Sequence, residues 1–211
     1  MSTIYWNARG IARNSFKLNF RHIINDHHPD IVVLAETHAS RRTTTKIVQA
    51  LPFDNWHLVD PIGFAGGILI LWNSTRVHLT ILRENFQSIT ALVEVRDNTP
   101  PFILTAVYAS PRFNTRTLLW SNLYDMAESI DLPWIVFGDF NEVTCQAEKW
   151  GGNPISKSRT DLFNKMLNDC HLIDLGFSGR DSHGRIKETC THSERLDRGW
   201  LMTMVLKFPN C

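Results

Sequence analysis

Four polar residues of types that do phosphate chemistry stand directly after apolar runs. Asn7 follows Ile4-Tyr5-Trp6, and Glu36 follows Val32-Val33-Leu34-Ala35. Tyr108 follows Leu104-Thr105-Ala106-Val107, and Asp139 follows Ile135-Val136-Phe137-Gly138, with Asn141 just beyond. Glu36 and Asp139 carry hard carboxylate oxygens, which suit Mg2+ or Mn2+. Such an ion neutralises charge growing on a phosphate and orients an attacking water. Asn7 and Asn141 can hydrogen-bond phosphate oxygens or that water, and Tyr108 can donate to a phosphate or a leaving oxygen. Taken singly, each has a plainer reading: an Asn as a turn former, a Glu as a solvated end, a Tyr as core with a satisfied hydroxyl. Gly138-Asp139-Phe140-Asn141 is the more specific signal. There the glycine is expected to let the backbone turn tightly, with Asp139 and Asn141 facing the same way.

Such residues work together only if the elements bring their ends to one place. Strand ends on one edge of a sheet converge, and α/β ligand sites sit there. The pattern predicts strands at Ile4–Asn7, Ile31–Leu34, Gly66–Trp72, Val77–Leu82, Ile89–Val95, Phe102–Tyr108 and Pro133–Phe137. Phe16–Asn25 has helical spacing, with Phe16, Phe20, Ile23 and Ile24 on one side, and His28-Pro29-Asp30 breaks it. Thr115–Ser129 reads as a helix with Leu118, Leu119, Leu123 and Met126 as its apolar side, and Arg159–Cys170 as another. The strands between Gly66 and Tyr108 are too dense for a simple βαβ protein. They suit an α/β sandwich of two sheets packed face to face with helices outside, in one domain over residues 1–211.

Composition narrows the classes. The chain has 211 residues, 43% of them apolar, and a formal net charge of +1, so a nucleic-acid role must rest on a local site rather than on bulk charge. Arg41-Arg42 and the cluster Lys157–Arg159 read as solvated surface. None of the four cysteines falls in a CxxC pair; Cys145 and Cys170, among apolar neighbours, read as buried free thiols. No signal peptide and no membrane-length apolar run are evident. The expectation is an intracellular protein, nuclear or cytoplasmic, monomeric, with no membrane and no evident protein partner.

At this point the residues resemble a known family. The sequence is similar to the endonuclease/exonuclease/phosphatase superfamily, and more narrowly to endonuclease-like domains of plant LINE-type, non-LTR retrotransposon proteins. The resemblance is carried by Trp6-Asn7-Ala8-Arg9-Gly10, Leu34-Ala35-Glu36-Thr37, Gly66-Gly67-Ile68 with Leu71-Trp72, Val107-Tyr108-Ala109-Ser110-Pro111, Gly138-Asp139-Phe140-Asn141-Glu142, Glu148-Lys149 with Gly151-Gly152, Asp174-Leu175-Gly176 and Arg195-Leu196-Asp197-Arg198, in the family's order. It implies a four-layer α/β/β/α sandwich. It implies Glu36 as the metal-binding carboxylate with Asn7 beside it, Tyr108 at the phosphate, and Asp139 and Asn141 positioning the nucleophile and the scissile phosphate. Asp197 matches the acidic residue that orients a catalytic histidine. The implied reaction is Mg2+-dependent hydrolysis of a phosphodiester, with DNA as the substrate of the LINE branch.

Two departures bear on activity. The family's final Ser-Asp-His motif occurs nowhere in these residues, and none of the nine histidines maps onto it. His183 and His192 precede Asp197 and stand in the wrong order. Residues 179–192 also lack the family's aromatic stretch. The expectation is a chain cut short of its last motif, impaired in turnover, with a sheet edge left open. An active nuclease, an inactive remnant with residual metal or nucleic-acid binding, and a phosphatase of small phosphoesters all remain open.

Overall fold

A computed structural model describes residues 1–63, 66–151, 154–174, 192–194 and 205–207. Two mixed sheets face each other. The first has β1 (Thr3–Asn7), β2 (Ile31–Ala35), β3 (Asn55–Val59) and β4 (Ile68–Trp72), in the order β1-β2-β4-β3. The second has β5 (Val77–Asn85), β6 (Ser88–Val95), β7 (Phe102–Tyr108), β8 (Trp134–Asp139), β10 (Ile173–Asp174) and β12 (Val205–Lys207), in the order β10-β12-β8-β7-β6-β5. β9 (Lys149–Gly151) pairs with β11 (His192–Glu194) in a separate ribbon. Alternate residues of the inner strands fill the space between the sheets: Ile31, Val33, Ile68 and Ile70 from one side, Ile89, Ala91, Leu104 and Phe137 from the other. The α/β sandwich expected from strand density is therefore what the chain forms.

Helices cover both outer faces. α1 (Asn14–His27) buries Phe16 and Phe20 against Val32, Leu34, Leu69 and Leu71 of the first sheet, with Ile24 packed at the margin. It ends at His28, in the left-handed region at φ 43, whose amide donates to Ile24 O, and Pro29 follows. α3 (Phe113–Ser129) and α4 (Lys157–Asp169) cover the second sheet through Leu119, Trp120, Leu123, Phe163 and Met166. Leu118, placed on the apolar side by its spacing, is exposed; the helix turns so that Trp120 and Arg116 take the buried positions.

Several elements have no counterpart in the sequence pattern, α2 (Arg41–Val48) and β3 among them. α2 contains Thr43-Thr44-Thr45, a β-branched run of low helix propensity, and buries only Thr44 and Val48. It forms because Ser40 caps it, its hydroxyl accepting from Thr43 N at 3.3 Å. Arg41 is more than solvated surface. It donates to Asp60 Oδ2 at 2.7 Å and to Leu58 O at 2.9 Å, tying α2 to β3. Cys170 is buried as expected, but Cys145 is exposed, because the segment after β8 runs over the surface. The outer edge of β8 is not open: Val205–Lys207 pairs with Trp134–Val136. Among the described residues no helix is long and apolar enough to cross a membrane.

Candidate active site

Asn7 closes β1 and stands opposite Ala35 in the parallel register of β1 and β2. Glu36, one residue further, is therefore its neighbour. Asn7 Nδ2 donates to Glu36 Oε1 at 3.0 Å, and Asn7 Oδ1 accepts from Arg9 N at 3.2 Å. Glu36 itself is in the left-handed region at φ 51, so the chain leaves β2 sharply. That exit is held by the strand-entry glycines, since Thr37 N donates to Gly67 O at 3.3 Å. A Cβ on Gly67, at φ 87, would lie 2.2 Å from Thr37 Oγ1, so only glycine lets β4 start this close to the Glu36 segment.

The second sheet supplies the facing half. β7 and β8 run parallel with Tyr108 opposite Asp139. The Tyr108 hydroxyl crosses between the sheets and donates to Glu36 Oε1 at 2.8 Å. One carboxylate oxygen thus accepts from Asn7 of one sheet and Tyr108 of the other. Burial pushes the Tyr108 pKa upward, and the hydrogen bond to Glu36 and the charges of Glu36 and Asp139 push it further, so the phenol stays a neutral donor. Beneath the site Tyr5 is raised well above its ordinary value, chiefly by burial and then by Asp139.

The Gly-Asp-Phe-Asn segment departs from the sequence expectation in two ways. Gly138 is not a turn residue. It lies inside β8 at φ 136, where a Cβ would sit 2.0 Å from Val107 O, so its role is close approach of β8 to β7. Asp139 and Asn141 do not share a strand face, because β8 ends at Asp139 and the chain folds back. Asn141, at φ 49, donates its amide to Asp139 Oδ1 at 2.8 Å, and its Nδ2 donates to Ala109 O at 2.7 Å. The two residues are still brought together, by a side-chain-closed turn rather than by strand alternation.

Asn7, Glu36, Tyr108, Asp139 and Asn141 therefore gather at one edge of the sandwich. Asp197 and His183 lie outside the described residues, and His192 falls in β11. Two neighbours were not foreseen. His38 places Nε2 3.8 Å from Glu36 Oε2, and its position two residues after Glu36 was the available signal. Gln87, in the β5–β6 turn, is buried; its carbonyl accepts from Tyr108 N at 2.8 Å and its Oε1 from Ser110 N at 2.7 Å. A glutamine in a hairpin turn carries no sequence signal of this kind.

The donor set suits a hard divalent cation bound sparsely. Glu36 offers carboxylate oxygens at a partly open edge, Asn7 turns Nδ2 to Glu36 and Oδ1 to Arg9 N, and among the described residues no group of three or more His, Cys, Asp or Glu side chains is gathered for a metal. One carboxylate with water and substrate phosphate completing the shell is how magnesium commonly binds. It is not the closed cage of a structural zinc.

Known proteins share this frame. The model of the Endonuclease/Exonuclease/phosphatase family matches residues 4–201. No curated protein matches the chain in sequence. Among solved structures, an AP endonuclease from Leishmania major aligns with TM-score 0.62 at 16% identity, over 82% of this chain and 67% of that one. A 3'-5' exonuclease from Neisseria meningitidis aligns with TM-score 0.61 at 19% identity, over 96% and 86%. A 3' phosphatase from Neisseria bound to a product DNA hairpin gives TM-score 0.61 at 19% identity, over 98% and 86%. At these identities the likeness to the structures is one of fold.

Proposed function

The chain belongs to the endonuclease/exonuclease/phosphatase family, and from that premise we propose that it is a metal-dependent phosphodiester hydrolase acting on DNA. The observation that carries the proposal is the sharing of Glu36 Oε1 between Asn7 and Tyr108. It joins the two sheets at the edge where Asp139 and Asn141 also stand.

Glu36 and Asn7 would hold the divalent ion, Mg2+ or Mn2+, which when bound supplies Lewis-acid stabilisation of the phosphate. Tyr108 remains protonated; its one hydroxyl proton, on Glu36 Oε1 in the free protein, would turn to a phosphate oxygen when substrate binds. Asp139 orients the attacking water through its carboxylate. Asn141 is anchored through Nδ2 on Ala109 O and presents its remaining amide atoms to the scissile phosphate. Each is held from the backbone outward, so little reorganisation accompanies reaction. DNA as substrate, and descent from a LINE-type retrotransposon protein, are supported by the sequence motifs. The DNA hairpin in the Neisseria phosphatase structure supports DNA as a ligand class for this fold.

The test is nicking of supercoiled plasmid by purified protein with Mg2+. With no Ser-Asp-His motif in these residues, the wild-type chain is expected to nick slowly, and chelation is expected to stop it. Asp139→Ala is expected to lower the rate by about 10²–10³-fold. Nicking that survives Asp139→Ala unchanged marks a contaminant and overturns the reading. Hydrolysis of small phosphoesters with no action on DNA moves the substrate to the phosphatase class.

A further inference from the structure

A buried charge cluster lies directly behind the catalytic edge. Arg116, on the first turn of α3, has no exposure at all. Its Nη2 donates to Glu142 Oε2 at 2.5 Å and its Nη1 to Ser110 O at 2.7 Å. Glu142 is 5% exposed and also accepts from Arg159 of α4, at 3.1 Å from both Nε and Nη2. The guanidinium groups of Arg116 and Arg159 lie 5.9 and 5.5 Å from the Phe113 ring centroid. Arg116 Nε is buried with no acceptor.

As a source of stability this arrangement is poor. A buried ion pair must overcome desolvation of both charges, and an apolar pair of similar volume is commonly as stable. An unpaired buried donor adds a further penalty. What the cluster does is geometric. Ser110 lies two residues after Tyr108, and Glu142 one residue after Asn141. Arg116 therefore clamps the loop after β7 to the loop after β8. The same two loops meet again through Asn141 Nδ2 on Ala109 O and Ala109 N on Asp139 O, both at 2.7 Å.

We infer that Arg116 and Glu142 are positioning residues, a buried latch that fixes Asp139 and Asn141 relative to Tyr108. Neither reaches the reacting atoms; both act through the loop backbones. Arg159 is the exposed arm of the latch and contributes less, because its charge is screened by water. The inference rests on the hydrolase reading for its effect on rate, but not for its effect on loop order.

The experiment compares wild type with Arg116→Met/Glu142→Leu, which removes both charges at similar side-chain volume. A purely structural pair predicts that this double variant behaves as wild type. The latch predicts a kcat lower by about a hundredfold with KM nearly unchanged, the signature of misplaced catalytic groups. Hydrogen exchange gives a readout independent of activity. Amides of residues 139–142 are expected to exchange faster by about an order of magnitude, while β4 exchange is unchanged. Should the double variant lose its fold, Glu142→Asp, which keeps the charge but shortens the reach, is held to the same local exchange criterion. Wild-type exchange at residues 139–142 in a folded variant overturns the latch. Absence of hydrolysis in the wild-type chain counts against the proposed function alone, and the exchange result still decides the latch.

Discussion

Glu36 Oε1 is the atom on which both halves of the site converge, with donors at 3.0 and 2.8 Å. Hydrogen bonds to a carboxylate are about twice as strong as neutral ones, so each donor also fixes where the carboxylate points. Tyr108→Phe removes the donor from the second sheet and leaves the ring in place. The expected loss of kcat is about 10²-fold, against a stability change of only about 1 kcal/mol, read by plasmid nicking and urea unfolding on the same preparation. A larger loss of stability than of rate places Tyr108 in the frame rather than at the phosphate. The pH dependence has a definite sign. The folded pKa is raised above the ordinary 10.0, so the proton-linked stabilisation is complete below that value. It is lost as pH rises through the higher folded value. Between about pH 6 and 9 the Tyr108→Phe profile should therefore keep the wild-type shape at a lower level.

At the scale of elements, the site depends on how closely strands approach. Gly138 sits where a Cβ would meet Val107 O at 2.0 Å, a backbone atom that cannot swing aside. Gly138→Ala must part β7 from β8 or break the register that sets Tyr108 opposite Asp139. The expected cost is about 3 kcal/mol, with a drop in thermal midpoint, and nicking should fall even in the fraction that stays folded. Near-wild-type stability for this variant contradicts the close-approach role. The strand ends were legible beforehand because a buried strand writes itself as an apolar run and its functional terminus as the first polar residue. This holds for Asn7, Glu36, Tyr108 and Asp139. The turn joining Asp139 to Asn141 was not legible, since a left-handed Asn closing on its own neighbour looks the same in sequence as strand alternation. α2 and β3 were hidden for a different reason. Thr43-Thr44-Thr45 opposes helix formation locally, and Asn55-Trp56-His57 is half-buried, so packing and capping decide both. The Arg116–Glu142 pair was silent too, because residues 26 apart carry no shared signal until α3 and the loop after β8 meet.

At the scale of the whole molecule, the gap between the sheets sets the geometry of the proposed site. Asn7 and Glu36 ride on one sheet, Tyr108, Asp139 and Asn141 on or beside the other, and only the inter-sheet core sets their separation. The density of strands between residues 66 and 108 announced that two sheets pack together, but no sequence pattern fixes their spacing to an ångström. Side-chain volume does. Near the site two small residues stand among larger ones: Ala35, just before Glu36 and paired with Ile68, and Ala106, two before Tyr108 and paired with Phe137, both almost fully buried. Ile31, at the start of β2, belongs to the same core at the other end of the strand. Extra volume at Ala106 should wedge the sheets apart where the Tyr108–Glu36 hydrogen bond spans them. Ala106→Leu is expected to cost about 1–3 kcal/mol in unfolding free energy. It should also lower kcat well beyond the unfolded fraction, by about tenfold or more. Ile31→Val, in the same core but distant from the catalytic edge, should cost about 0.5–1.5 kcal/mol and leave kcat of the folded protein unchanged. Rates that track stability equally in both variants would show that the inter-sheet gap does not control the chemistry. A rate loss confined to Ala106→Leu makes the closeness of the two sheets at Ala35 and Ala106 part of the active site.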